Sequence, residues 1–98
     1  MSSTVTARML LARYAADVAF VAEVRPATTL DDLAEQTSTA ADRLEAAGIQ
    51  GAEELDTASA ALAAASITDL PDQAAHLRHA AHHLTDTTDM VDEYRLMV

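Results

Sequence analysis

Residues 44–55, LEAAGIQGAEEL, decide how this chain is read. Gly48 stands where a helix closes with a left-handed residue, and Ile49 would then fold back on Leu44, the hydrophobic contact of a Schellman ending. Gly51, followed by Glu53 and Glu54, opens a second helix with negative charge on its first turn. The stretch therefore predicts a tight turn, and so short a connection makes the two helices antiparallel neighbours.

Both flanks carry the pattern that such a turn requires. Upstream, Leu30, Leu33, Thr37, Ala40, Leu44 and Ala47 alternate spacings of three and four, behind Thr28 or Thr29 as a cap and Asp31 and Asp32 on the first turn. Downstream, Leu55, Ala58, Leu62 and Ala65 repeat the spacing. The segment SITDLPDQ (66–73) then closes one helix and opens the next, with Pro71 at a first helical position, Asp69 as a cap and Asp72 facing the dipole. A seam of Leu77, Ala81, Leu84, Thr88 and Val91 carries that last helix to Tyr94, and the apolar tail RLMV either docks or frays. At the other end, a first helix runs from Ser3 or Thr4 to Arg25, because the residue before Pro26 is pushed out of the helical region. The expectation is an all-α single domain over residues 1–98. It is a small four-helix bundle, with helices at about 3–25, 29–47, 52–66 and 71–94, in which antiparallel neighbours are joined by short turns. A hairpin pair with the first helix packed across it fits the same pattern.

Composition agrees. Two glycines, two prolines and 3% aromatic residues disfavour turn-rich β architectures. Alanine supplies nearly half of the apolar residues, which favours closely packed helices but a thin core. A chain of 98 residues with such a core gains from association with itself or with a partner. Cysteine is absent, which removes disulfides and thiolate chemistry together. Every basic residue is arginine, and neither lysine nor asparagine occurs, as expected from the coding bias of a GC-rich, bacterial genome or from adaptation to salt.

The net charge is −10 and unevenly spread. Residues 1–27 hold three arginines against two carboxylates, whereas residues 28–98 hold three against fourteen. An acidic coat repels phosphate backbones and argues against nucleic acid as a partner, while it suits a basic protein.

The nearly neutral opening helix contains the most hydrophobic stretch, MLLARYAADVAFVAEV (9–24). A bilayer asks for about 20 apolar residues, and this run is shorter and interrupted by Arg13 and Asp17, so a membrane span is not expected and a cytoplasmic location is. A signal peptide is disfavoured by Arg13 within the apolar run. Leu11, Tyr14, Val18, Val21 and Ala22 lie along one side, and Met9, Ala16, Phe20 and Val24 along another, bordered by Arg13 and Asp17 as an i, i+4 polar pair. One apolar face suffices for a surface helix. Two faces predict a helix that serves its own core and an interface, with Leu11, Tyr14, Val18, Phe20, Val21 and Val24 as the candidate contact residues.

The last helix holds the chemical candidate. Asp72, His76, His79, His83 and Asp86 form one stripe, in which His79 and His83 stand at the i, i+4 spacing that lets two imidazoles bind one transition metal. Asp86, or a carboxylate from another helix, would complete a set for zinc or nickel centred on His76, His79 and His83. No glutamate stands three before any histidine, so the pattern of di-iron bundles is absent, as is His-Glu-x-x-His. Glycine-rich phosphate loops and nucleophile elbows are also missing, and serine, histidine and aspartate sit at spacings that suggest no triad. No residue is therefore assigned a catalytic role.

In its length, helicity, acidity, lack of cysteine and central break at GIQG, the chain resembles the WXG100 proteins exported by type VII secretion. The likeness extends to size and class. The break holds no Trp-x-Gly, and DEYRLMV has no tyrosine followed four residues later by an acid. Four helices are predicted where that family has two. The leading expectation is a non-enzymatic helical interaction module, a homodimer or a subunit of a larger assembly. A metal-binding or metal-sensing bundle is the alternative from a different class, a WXG100-like secreted protein is a second, and a small helper enzyme without an assignable mechanism is a third.

Overall fold

The computed structural model describes residues 6–68 and 72–97, the side chains of 88–90 excepted. Among these, every regular element is an α-helix: α1 Ala7–Ala22, α2 Leu30–Ala47, α3 Ala52–Ser66, α4 Asp72–Asp86 and α5 Thr88–Met97. The proposed start of the first helix at Ser3 or Thr4, and the Asp69–Pro71 opening of the fourth, lie outside the described residues. None of the described helices is long and apolar enough to cross a membrane.

The central turn is built as its sequence demands. Gly48 takes φ 74°, its N–H donates to the Glu45 carbonyl at 3.1 Å, and the Ile49 N–H donates to the Leu44 carbonyl at 2.9 Å. Ile49 is buried, which completes the Schellman ending. Thr29 caps α2 by accepting the Asp32 N–H at 3.2 Å. The hairpin it introduces is packed on alanine: Ala40, Ala58 and Ala65 are fully buried, and the Ser59 hydroxyl reaches across to the Ala34 carbonyl at 2.7 Å. Small side chains let the helix backbones approach closely, and α4 joins the same layer through Leu77, Ala80 and Leu84. Gln73, on the first turn of α4, donates to the Ala65 carbonyl at 2.9 Å and so ties the start of α4 to the end of α3, where the Thr68 N–H reaches the same carbonyl at 3.4 Å.

Three departures from the sequence reading have physical causes. The last helix is two helices, not one over 71–94. At the break, both the N–H and the hydroxyl of buried Thr87 donate to the Leu84 carbonyl, at 3.2 and 2.8 Å. A threonine that bonds a carbonyl one residue too near interrupts the i to i−4 ladder.

The first helix ends at Ala22 rather than Arg25, because Glu23 adopts φ 60° and its N–H and that of Val24 close the helix onto Phe20 and Ala19, at 3.3 and 3.1 Å. Its described start is capped by the Thr6 hydroxyl, which accepts the Met9 N–H at 3.2 Å.

Nor is α1 joined to α2 by a short antiparallel turn. Glu23 pairs with Arg43, near the end of α2 and about 20 Å along the helix from its start. Val21, Leu44, Leu55 and Leu84 meet around a cavity of about 20 Å³, so the end of α1 lies at the level of the central turn. Residues 24–29 carry the chain back along the bundle, with Ala27 tucked into the core.

Candidate interaction surface

Helix α1 has two apolar sides because only Arg8, Arg13 and Asp17 among its sixteen residues are charged, and the bundle uses one of those sides. Leu10, Tyr14, Ala15, Val18, Val21 and Ala22 are buried, and Leu11 packs partly against the same core. On the other side Met9 is 50% exposed and Phe20 40%, Ala16 between them is exposed as well, and Val24, just past the helix end, is 48% exposed. Of the six predicted contact residues, Tyr14, Val18 and Val21 are core, Leu11 is half-buried, and Phe20 and Val24 stand open.

Helix α5 borders this side. Tyr94 packs edge-on to Phe20 with ring centroids 6.0 Å apart, and the Arg95 guanidinium lies 5.0 Å from the Phe20 ring centre. Arg95 also reaches Asp17 at 3.4 Å and Asp92 at 3.7 Å. Asp17 therefore takes its cation from α5, not from Arg13, whose guanidinium sits 5.6 Å from the Tyr14 ring centre. Beyond these contacts Leu96 and Met97 are exposed.

The histidine stripe is dispersed. His83, half-buried, shares a 2.5 Å hydrogen bond between its Nδ1 and Glu54 Oε2 on α3. That carboxylate from another helix was invisible to spacing, since it stands twenty-nine residues away. Asp86 faces His82 at 3.6 Å, a histidine outside the predicted set. The His79 and His83 rings are edge-to-face with centroids 4.6 Å apart, His79 is exposed and His76 is half-buried. Among the described residues no three histidine or carboxylate side chains converge as a metal site would require.

What the surface can do is associate. It offers Met9, Ala16 and Phe20 along one side of α1 and Val24 just past the helix end, beside an α1–α4 contact far thinner than those joining α2, α3 and α4. No family model matches the chain, and neither curated proteins nor solved structures give a significant match.

Proposed function

We propose that this protein is a non-enzymatic helical interaction module that pairs with a second copy of itself through the open side of α1. The observation that carries the reading is the exposure of Met9, Ala16 and Phe20 along one side of α1, with Val24 exposed just past its end. Large apolar groups aligned on one face mark contact sites more often than scattered ones do. Charge favours a second copy in this place. Two chains of net charge −10 repel across most of their surfaces, and residues 1–27, with three arginines against two carboxylates, are where they can meet at least cost. The thin alanine core supplies a further reason, because pairing removes more apolar area from water.

The test is sedimentation equilibrium of the wild type and of a double variant, Ala16→Glu with Val24→Glu. Both positions are exposed, so the fold has no reason to fail. The reading predicts a two-chain mass for the wild type and a single-chain mass for the variant with an unchanged melting curve. A single-chain wild type at high micromolar concentration would falsify it.

A further inference from the structure

The chain holds sixteen carboxylates and six arginines. Arg43 has Glu23, and Arg95 has Asp17 and Asp92. Among the described residues, Arg8, Arg13, Arg25 and Arg78 have no carboxylate partner, and of these Arg13 and Arg78 line one recess. Local sequence explains part of this. Asp17, one turn after Arg13, is held by Arg95, and one turn to either side of Arg78 stand only alanines and His82.

Arg13 and Arg78 are lining residues of the same recess, an opening of about 280 Å³ between α1 and α4. Met9, Leu10 and Ala81 form its apolar walls, and His82 stands at its edge. Its floor is the ring of Tyr14, whose hydroxyl is already hydrogen-bonded to Thr85 at 2.6 Å, and the Arg13 guanidinium is held beside that ring. The recess thus combines apolar walls with two positive forks whose counter-ions the chain does not supply.

We propose that this recess binds a small amphiphilic carboxylate, with its head group between Arg13 and Arg78 and its hydrocarbon part against Met9, Leu10 and Ala81. Guanidinium forks match the two oxygens of a carboxylate, and apolar walls exclude water from the contact. The volume lies at the small end of ligand sites, which suits a short-chain acid and not a cofactor. The recess borders the pairing surface proposed above and shares Met9 with it, whereas Ala16 and Val24 do not line it.

The full-length chain is titrated with octanoate and, separately, with octan-1-ol, by calorimetry and amide NMR. Octanoate binds, with shifts centred on α1 and α4 around the recess. Octanol, which has the same chain without the charge, binds at least about tenfold more weakly, and the double variant Arg13→Gln with Arg78→Gln loses about tenfold in octanoate affinity while melting normally. The Ala16→Glu, Val24→Glu protein still binds octanoate, which shows that the recess does not depend on pairing. No octanoate binding, equal binding of acid and alcohol, or undiminished affinity in the arginine variant overturns the proposal. Loss of self-association in the arginine variant without any octanoate binding would assign the recess to a carboxylate of the second copy instead, and overturns it too.

Discussion

At the end of α2, Gly48 turns left-handed and the next side chain, Ile49, folds onto the core and is only 7% exposed. At the end of α1, Glu23 takes the same conformation with the same pair of hydrogen bonds, yet the next side chain, Val24, is left 48% exposed. The same local device is filled on one side of the molecule and unfilled on the other. That contrast runs through the whole fold. Helices α2, α3 and α4 meet along alanine-lined contacts, whereas α1 and α5 touch α4 only lightly and carry Met9, Phe20, Leu96 and Met97 in the open. One region buries its apolar side chains to hold the chain together, and the other leaves a share of them exposed.

Substitutions test that division, beginning where the effect is greatest. Leu62, fully buried between the central helices, should cost about 3 kcal/mol when replaced by alanine, because transfer energy and an unfilled cavity add. Urea denaturation measures this, and a loss below about 1 kcal/mol would mean that the central contacts are looser than their burial implies.

Next comes the pair of helix endings. Ile49→Ala should cost about 2 kcal/mol, while Val24→Ala should leave the melting of dilute protein within about 0.5 kcal/mol of wild type. Equal losses at the two positions would erase the contrast.

Smaller still is Gly48→Ala. No heavy atom lies within 4 Å of an added Cβ, so the whole cost is that of holding φ at 74°, about 1 kcal/mol. A neutral result would show that the turn relaxes to another conformation.

Much of the tightly packed region was legible in the sequence. Gly48 and Gly51 punctuate the chain where backbone conformation demands glycine, and the seams of α2 and α3 follow from three-and-four spacing alone. Every seam position from Leu30 to Leu44 and from Leu55 to Ala65 is buried. The flank was read less well, for identifiable reasons. Glutamate is an unusual residue in the left-handed region, so Pro26 drew attention to itself as the terminator and Glu23 did not. HHLTDTTDM contains neither glycine nor proline, and a threonine hydroxyl bonding its own chain left no spacing signal for the break at Thr87.

Periodicity reported that α1 has two apolar faces but not which of them the bundle would cover. It also could not show that Asp17 would take a cation seventy-eight residues away, or that Glu54 would hold His83. Contacts between helices depend on how elements pack, which one-dimensional spacing does not encode.

The most direct test of the account is an amide NMR dilution series on the wild-type chain. The open side of α1 should respond to concentration: signals of Met9, Ala16, Phe20 and Val24 move as the protein is diluted, while those of Ala58 and Leu62 stay fixed. Signals that do not move across the series, or movement centred on α2 and α3, would contradict the claim that α1 reserves a face for a second copy.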